Sequence, residues 1–211
     1  MKVVVFGATG GIGKWALKHA LEKGHEVTAF VRSPQKVKVQ HERLTLFKGD
    51  VTKREDYIEA LKGQEAVIWC IGMPIQGVKD FTTVEAHQYL IEAMEANGVK
   101  RVIDWATPSL RFPERDKWPV ATIVPLLAGL TVLREGHRQL IAYHRMYVEA
   151  GLDWTIVRFC GPTDKPFIDN YKVGFGEKHL GMMIPRENIG AFMVEQLSTD
   201  EYLRSMPIIG S

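Results

Sequence analysis

A glycine-rich turn directly follows the first apolar run of the chain, and no other feature constrains the fold as strongly. Residues 2–6 are rich in valine, a composition typical of a strand that is buried on both faces. The glycines between Gly7 and Gly13 come next, and apolar residues recur at helical spacing over residues 11–23. A strand, a tight turn and a helix in this order predict the first crossover of an open α/β sheet.

The glycines of this turn, in the spacing Gly-x-x-Gly-x-x-Gly, predict a binding site for a diphosphate. Gly7 can adopt backbone dihedrals that are closed to other residues, Gly10 lets a phosphate approach the main chain, and Gly13 lets the helix pack closely on the strand. The helix would direct unpaired N–H groups and the positive end of its dipole at the phosphates. The alternative is a glycine-rich turn that binds nothing. The residues expected at the diphosphate are Gly7, Thr9, Gly10, Gly11, Ile12 and Gly13.

Runs of strand length alternate with stretches of helical spacing along the rest of the chain. Such alternation predicts an α/β fold with a mainly parallel sheet and helices on both faces, and right-handed crossovers make it a doubly wound Rossmann fold. No internal repeat, low-complexity tract or linker divides the sequence, so we expect one domain over residues 1–211. The predicted strands are 2–6, 25–31, 44–48, 65–71, 100–106, 154–159 and 207–209, and the predicted helices are 11–23, 53–62, 82–96, 132–150 and 185–197.

Two less regular segments, residues 108–130 and 161–183, follow predicted strands and are expected to form the substrate side of the domain. Open α/β sheets bind ligands outside the carboxyl ends of their strands. The apolar run 118–127 leaves three interpretations open: a lining for a flat apolar substrate, a dimer interface, or plain core packing. The charged stretches 111–117 and 134–138 are expected to be solvated surface.

The second predicted strand ends in Arg32 and Ser33, where dinucleotide-binding folds usually carry an acid that binds the ribose 2′-hydroxyl. A guanidinium at this position can pair with a 2′-phosphate through two parallel hydrogen bonds. Ser33 and Lys36 offer further donors. We therefore predict NADP(H) as the cofactor, with NADPH preferred over NADH. The alternative is that Arg32 is an ordinary solvated charge.

Four stretches of the sequence resemble one known family. They are the glycine turn 7–13, the Gly-Asp-Val of 49–51, the Cys-Ile-Gly of 70–72 and the Gly-Leu-Asp-Trp-Thr-Ile-Val-Arg of 151–158. Together they resemble an atypical short-chain dehydrogenase/reductase, and more narrowly the NAD(P)H-binding group that includes biliverdin reductase B (flavin reductase) and the NmrA-like proteins. The resemblance covers nearly the whole chain and implies a single NAD(P)-binding Rossmann domain.

The resemblance implies roles for residues that follow three of the predicted strands. Asp50 has the alternative role of capping a turn, and Cys70 has that of a small buried apolar residue. The implied contacts are Asp50 and Val51 with the adenine, Cys70, Ile71 and Gly72 with the ribose next to the nicotinamide, and Phe159, Cys160 and Gly161 with the nicotinamide itself.

The catalytic signature of short-chain dehydrogenases is incomplete in this sequence. Their Tyr-x-x-x-Lys pair, in which the Lys lowers the pKa of the Tyr, is matched here by Tyr143 followed by Tyr147. The resemblance to biliverdin reductase B places Thr107 at that group's Ser and Gly161 at its His. Thr107 is therefore the candidate catalytic residue, since its hydroxyl can donate to a carbonyl or a flavin edge. Loss of the His puts biliverdin in doubt as a substrate, whereas flavin reduction mainly needs two oriented rings.

Composition and motif spacing argue against several other classes of function. The formal net charge is +2 and no basic block is present, so no nucleic-acid partner is expected. The histidines and the two cysteines show no metal-ligand spacing, so no metal is predicted. The longest apolar stretch, 120–133, is too short to cross a bilayer, so no membrane partner is expected. Few cysteines fit a reducing compartment, and we expect a cytoplasmic protein.

These observations predict an NADPH-dependent oxidoreductase that reduces a flavin, a quinone or a related conjugated small molecule by hydride transfer. A first alternative is a non-catalytic, NmrA-like redox sensor that holds NADP(H) and docks on a protein partner, because the Tyr-Lys pair is broken. Another alternative, an epimerase acting on a sugar nucleotide, normally needs that pair and a larger substrate lobe. A homodimer is left open.

Overall fold

Most strands of the chain belong to one large sheet, and helices connect them. The computed structural model describes residues 1–73, 81–117, 120–176 and 180–211. The strands are β1 (Lys2–Phe6), β2 (Glu26–Val31), β3 (Leu44–Lys48), β4 (Ala66–Trp69), β5 (Arg101–Ala106), β6 (Asp153–Arg158), β7 (Pro162–Thr163), β8 (Lys172–Gly174), β9 (Ile184–Pro185) and β10 (Ile208–Gly210). The helices are α1 (Gly13–Glu22), α2 (Arg54–Ala60), α3 (Thr83–Asn97), α4 (Val120–Leu130), α5 (Arg134–Glu149) and α6 (Arg186–Glu195).

The large sheet has the strand order β3-β2-β1-β4-β5-β6-β10-β8, while β7 and β9 form a small separate sheet. Strands β1 to β6 and β10 run parallel, and β8 joins the edge antiparallel to β10. The strand order reverses between β1 and β4, which is where open α/β sheets leave a crevice for a ligand. This topology confirms the predicted doubly wound, mainly parallel Rossmann fold.

Successive side chains of β1 point into two different cores on opposite faces of the sheet. Val3 and Val5 pack with α1 and α6 on one face, whereas Val4 and Phe6 pack with α2, α3 and α5 on the other. All four side chains are fully buried. Burial of each contributes about 1.5–3 kcal/mol relative to an exposed position. The continuous apolar run of β1 is thus explained by helices on both faces, and it fixes where the glycine turn begins.

Helix α3 begins and ends at residues that the sequence marks as capping residues. Thr82 and Glu85 form a capping box, in which each side chain accepts a hydrogen bond from the other residue's backbone N–H. Gly98 follows the last turn in the left-handed conformation, with a φ of +68°. The helix predicted over residues 82–96 is therefore present, and each of its ends differs from the prediction by one residue.

The segment 108–130 is more regular than the sequence predicted, because its second half is the helix α4. Pro125 lies inside this helix, although proline has no N–H to donate to the preceding turn. The segment 161–183 is also partly ordered, with β7 at its start and β8 within it. Residues 118–119 and 177–179 lie outside the described residues. None of the helices within the described ranges is both long and apolar enough to cross a membrane.

The stretch 111–117 is not wholly solvated surface, which corrects the expectation from the sequence. Asp116 is buried and accepts two hydrogen bonds from the guanidinium of Arg158 in β6, at 2.7 and 2.6 Å. Arg158 is fully buried and also donates to the carbonyl oxygens of Leu110 and Met206. Since bidentate pairs of this kind are strong and directional, the pair anchors the segment after β5 to the neighbouring strand.

Candidate functional site

A cleft of about 1000 Å³ lies along the carboxyl ends of the parallel strands. Loops after β1, β2, β3, β4, β5 and β6 line it, together with residues of α4 and the first residue of α6. Gly13 is the one predicted site residue outside the lining, since it lies in the first turn of α1. The roles of all these residues in binding stay predictions. The predicted residues that line the cleft are Gly7, Thr9, Gly10, Gly11, Ile12, Arg32, Ser33, Asp50, Val51, Cys70, Ile71, Gly72, Thr107, Phe159, Cys160 and Gly161.

Gly7 and Gly13 allow the turn after β1 to close tightly. Gly7 has a φ of +74°, and a Cβ there would lie 2.9 Å from the carbonyl oxygen of Cys70. A Cβ at Gly13 would lie closer to the carbonyl oxygen of Gly7 than the 3.0 Å that Cβ atoms keep. A side chain at Gly7 would collide with the backbone after β4, whereas a side chain at Gly13 would push α1 away from the end of β1. Gly13 therefore holds the start of the helix at the cleft.

The N-terminus of α1 opens on the cleft without a side-chain cap. The N-cap position is Ile12, whose apolar side chain accepts no hydrogen bond from the amides of the first turn. Gly11 and Ile12 both line the cleft. The first-turn amides and the positive end of the helix dipole favour an anion at this point.

Arg186, a residue that the sequence analysis did not single out, lies over the glycine loop. Its Cδ and Nε lie 2.9 Å from the position that a Cβ would take at Gly11, and its Nη1 pairs with Asp164 at 3.0 Å. A Cβ at Gly190, one turn further along α6, would lie 2.7 Å from the backbone nitrogen of Ala16. Close packing of α6 on α1 thus brings a cation to the loop, and no local pattern in the sequence indicates this.

Cationic and hydroxyl side chains line the part of the cleft that follows β2. Arg32 and Ser33 come directly after the strand, and Lys36 ends the short 3-10 helix Pro34–Lys36. The side chain of Arg32 is exposed, and a guanidinium presents its donors in a rigid fork that matches a phosphate. These three residues thus line the same part of the cleft, and their contact with a 2′-phosphate stays a prediction.

Asp50 caps a turn at the end of β3 and also lines the cleft. Its Oδ1 accepts hydrogen bonds from the backbone N–H and the hydroxyl of Thr52, at 3.0 and 2.9 Å. These bonds, assisted by the charges of Lys53 and Arg32, hold the pKa of the Asp50 carboxyl below its usual value. The alternative role considered for this residue, that of a turn cap, is therefore present in the structure at a position that faces the cleft.

Trp105 and Phe159 form an aromatic floor at the inner end of the cleft. Their ring centroids are 5.7 Å apart, and the indole N–H of Trp105 donates to the carbonyl oxygen of Ile71 at 3.0 Å. Trp105 was not among the predicted site residues, although its place two residues before Thr107 was an available signal. Apolar residues complete the inner lining, namely Met73, Val124, Pro125, Ala128, Leu133 and Met182.

The described part of the apolar run 118–127 does not pack in the core. Val124 and Pro125 line the cleft, whereas Leu127 is 57% exposed. None of the side chains described within the run is buried. The interpretation of plain core packing is therefore wrong for these side chains. The interpretation of a cleft lining agrees with Val124 and Pro125.

Both cysteines are free thiols in the wall of the cleft. Burial raises the pKa of the Cys160 thiol to about 11. Burial and the nearby Asp104 carboxylate raise the pKa of the Cys70 thiol still further. Since the thiolate and not the thiol is the nucleophile, these raised pKa values disfavour covalent chemistry by either cysteine at neutral pH.

Tyr143 and Tyr147 lie fully buried beneath the cleft and not in it. The Tyr143 hydroxyl donates to the carbonyl oxygen of Trp105 at 2.5 Å, and the Tyr147 hydroxyl donates to Asp104 at 2.8 Å. Burial, with the Asp104 charge, raises the pKa of both phenols well above the usual value. The structure therefore agrees that the Tyr-Lys machinery of short-chain dehydrogenases does not operate here.

A buried pair, His87 and Asp104, supports the aromatic floor from the core. The Nε2 of His87 lies 2.8 Å from Asp104, and its Nδ1 lies 2.6 Å from the carbonyl oxygen of Thr83. Because that carbonyl can only accept, the Nδ1–H of His87 donates to it. The other carboxyl oxygen of Asp104 accepts the backbone N–H of Trp105 at 2.7 Å. The backbone of Trp105 is thus held by buried polar side chains on both sides.

Thr107 begins a tight turn directly after β5. The backbone N–H of Leu110 donates to the carbonyl oxygen of Thr107 at 3.0 Å, and Pro108 occupies the second position of the turn, which its fixed φ suits. The Thr107 hydroxyl lies 2.7 Å from the hydroxyl of Ser109. The turn therefore places Thr107 in the wall of the cleft, and Ser109 forms a hydrogen bond with its hydroxyl.

Fold and cleft together define a nucleotide-binding protein of the doubly wound α/β class. Residues 7–200 match the NAD(P)H-binding family, and the chain belongs to that family. Membership agrees with the predicted cofactor class, NAD(P)(H).

Three similar proteins place the chain among its relatives. It is 25% identical to the photosystem II assembly factor Ycf39 of Synechocystis over all of this chain, which spans 63% of that relative's length. ChuY, described as an anaerobillin reductase of Escherichia coli O157:H7, is 19% identical over the whole of this chain and 97% of its own, with a TM-score of 0.75. A short-chain dehydrogenase/reductase from Veillonella parvula in complex with NADP is 16% identical, covering all of this chain and 94% of that one, with a TM-score of 0.72. The two structures establish likeness of fold.

Proposed function

We propose that this protein is an NADPH-dependent oxidoreductase that reduces a conjugated small molecule, of the flavin or quinone type, by hydride transfer. The observation that carries the proposal is one continuous cleft that runs from the glycine loop to the aromatic floor. A dinucleotide bound along it would have its diphosphate at the loop and its nicotinamide near the floor. The family supplies the cofactor class, and the apolar inner lining supports a flat conjugated acceptor.

The residues at the glycine loop fit the diphosphate of NAD(P)H. Gly10 and Gly11 have no side chains that would keep a phosphate away from the main chain. The start of α1 supplies N–H donors. Arg186 supplies a positive charge beside Gly11. Its present partner, Asp164, is 80% exposed, and exposed pairs are worth only about 0–1 kcal/mol. The guanidinium can therefore exchange this partner for a phosphate at little cost.

The end of β2 supports NADPH over NADH. Arg32, Ser33 and Lys36 supply donors for the phosphate that distinguishes the two nucleotides. The Asp50 carboxylate is already bonded to Thr52, so it does not replace the acid that usually binds the ribose hydroxyls.

The inner end of the cleft has the properties that hydride transfer between two flat rings requires. The bound cofactor would supply the hydride, while the protein orients the acceptor and keeps water out. The partly exposed indole of Trp105 offers an apolar face on which a conjugated ring can stack, and the buried ring of Phe159 packs beside it. The Thr107 hydroxyl is a donor at the same end. The reductase named among the similar folds supports this class of reaction.

A second candidate, an NmrA-like sensor that holds NADP(H) and docks on a protein, is favoured by one observation. Leu127, Leu130, Val132 and Leu133, each more than half exposed, form an apolar surface at the end of α4 beside the cleft. Exposed apolar patches mark interaction surfaces. The name of the relative Ycf39, an assembly factor, agrees with this candidate, and a homodimer would cover the same surface.

Turnover distinguishes the two candidates. We expect the purified protein to oxidise NADPH when FMN, riboflavin or menadione is added, measured as the loss of NADPH absorbance. Binding of NADPH and NADP⁺ without turnover of any acceptor, together with capture of a protein partner, would favour the sensor. Failure to bind either nucleotide would reject both candidates.

A further inference from the structure

A chain of hydrogen-bonding groups leads from the Thr107 hydroxyl in the cleft wall to a histidine on α5. The Oγ1 of Thr107 lies 2.7 Å from the Oγ of Ser109, and that Oγ lies 3.3 Å from the Nδ1 of His137. Thr107 lines the cleft, Ser109 is 3% exposed, and His137 is partly exposed. The three groups thus connect the cleft to a residue that is accessible to solvent.

Helix α4 and the turn after β5 hold these three hydrogen-bonding groups in place. A Cβ at Gly129 would lie 2.9 Å from the Cβ of Ser109 and 3.2 Å from the Nδ1 of His137. The glycine therefore lets α4 lie directly against the contact between the two residues. Pro108 restricts the backbone between Thr107 and Ser109, so fewer backbone conformations can separate their hydroxyls.

We propose that Thr107, Ser109 and His137 form a proton relay that delivers a proton from solvent to an oxygen atom of the bound acceptor. The inference rests on the proposed reductase function and narrows its acceptor. An acceptor served by this relay gains a proton on oxygen when it gains a hydride, which is the chemistry of a quinone or a conjugated carbonyl compound.

The relay balances the charge of the reduction. The acceptor gains a hydride, and the cofactor is oxidised because it loses the two electrons that the hydride carries. As charge develops on the acceptor oxygen, Thr107 gives it the hydroxyl proton, Ser109 gives its own proton to Thr107, and Nδ1 of His137 gives one to Ser109. The Nε2 of His137 takes a proton from water, so the net input is one hydride and one proton.

Imidazole is suited to the outer position of such a chain because one ring nitrogen can release a proton while the other accepts one. Burial lowers the pKa of His137, so the ring is mainly neutral at neutral pH and can do both. Serine and threonine hydroxyls each donate one hydrogen bond and accept others, as the inner positions require. His137 and Ser109 act through Thr107 and are positioning residues, whereas Thr107 is the group that touches the acceptor.

Two acceptors separate the relay from a structural role. Menadione needs a proton on oxygen when it receives a hydride, whereas the cationic dye methylene blue becomes a neutral product by hydride addition alone. We expect Thr107→Val, Ser109→Ala and His137→Gln to lower kcat with menadione by about 10²-fold, within the range of general acid catalysis. Activity with methylene blue should be retained in Ser109→Ala and His137→Gln, whose side chains lie outside the cleft lining. At the catalytic position itself, Thr107→Ser should support turnover of menadione where Thr107→Val does not.

His144→Gln is the matched control, since it makes the same substitution on α5 at a residue outside the cleft lining. It should leave both activities unchanged. A second readout needs no turnover: the ring ¹⁵N resonances of His137 should shift in Thr107→Val, through Ser109, while those of His144 stay in place.

The outcomes separate the relay from the reductase proposal. Equal losses with both acceptors, no loss with menadione, or unmoved His137 resonances would each overturn the relay while leaving the reductase intact. If the unaltered protein binds NADPH and reduces FMN or riboflavin but not menadione, the relay fails and the reductase stands. If it binds NADPH and turns over none of the flavins, menadione or methylene blue, the proposed function fails and the relay fails with it.

Discussion

A Cβ placed on Gly13 would come closer to the carbonyl oxygen of Gly7 than real Cβ atoms come to any backbone atom. This contact sets how near α1 can begin to the end of β1. The proposed diphosphate site depends on it, because the first-turn amides reach the cleft only when the helix starts there.

Gly13→Ala should destabilise the fold and weaken nucleotide binding together, since the added methyl group must displace α1 from β1. We expect the free energy of unfolding to fall by about 1–3 kcal/mol, the range for overpacking, as measured by chemical denaturation. Gly136→Ala in α5 is the control: no atom lies within 4 Å of a Cβ there, and alanine stabilises a helix by about 1 kcal/mol over glycine. A Gly13→Ala variant as stable as the unaltered protein would contradict the account.

Arg32→Ala should weaken NADPH binding by about 10- to 100-fold, the loss of one charged hydrogen-bonding partner, and should leave NADH binding unchanged. Arg186→Ala should weaken both nucleotides by similar factors, because the diphosphate is common to them. Lys38→Ala removes an exposed cation that does not line the cleft, and it should change neither. Calorimetric titration measures all three. Equal losses of NADPH and NADH in Arg32→Ala would remove the phosphate assignment.

Asp116→Asn should lower the free energy of unfolding by about 3–5 kcal/mol, because it leaves the buried guanidinium of Arg158 without its counter-charge. The exposed pair of Glu59 and Lys62 provides the comparison, and Glu59→Gln should change stability by less than about 1 kcal/mol. Urea denaturation of the two variants tests the contrast. Similar small effects of both substitutions would show that the buried pair does not anchor the segment after β5.

Alkylation of Cys160 should be slow at neutral pH and should accelerate as the pH rises toward 11, since burial raises the pKa of its thiol to about 11 and the thiolate is the reactive form. Labelling with iodoacetamide followed by peptide mass analysis gives the rate. Bound NADPH should slow the reaction, because Cys160 lines the cleft. Rapid labelling at neutral pH that NADPH does not affect would speak against both the burial and the location of the cofactor.

The parts of the candidate site that could be predicted from the sequence depend on neighbours in the chain or on the ends of parallel strands. The glycine turn is a local pattern around Gly7, and Arg32 is recognised by its place after the second strand. Thr107 and Phe159 follow β5 and β6, and the parallel sheet brings them to the same edge. The doubly wound fold was predictable for the same reason, since alternation of strands and helices already implies it.

The features that sequence reasoning missed depend on contacts between distant segments. Asp116 was expected at the surface because it stands in a charged stretch and its partner, Arg158, lies 42 residues further along the chain, in β6. Arg186 reaches the glycine loop only because α6 packs on α1, and His137 reaches Ser109 only because α5 crosses beside the turn. No spacing in a single sequence encodes such contacts.

Two separate calorimetric titrations of the folded, unaltered protein, one with NADPH and one with NADH, most directly test whether the cleft binds a nicotinamide dinucleotide and prefers the one with the 2′-phosphate. The account predicts one NADPH bound per chain, with an affinity clearly higher than that for NADH. Absence of binding by either nucleotide, or tighter binding of NADH, would contradict it.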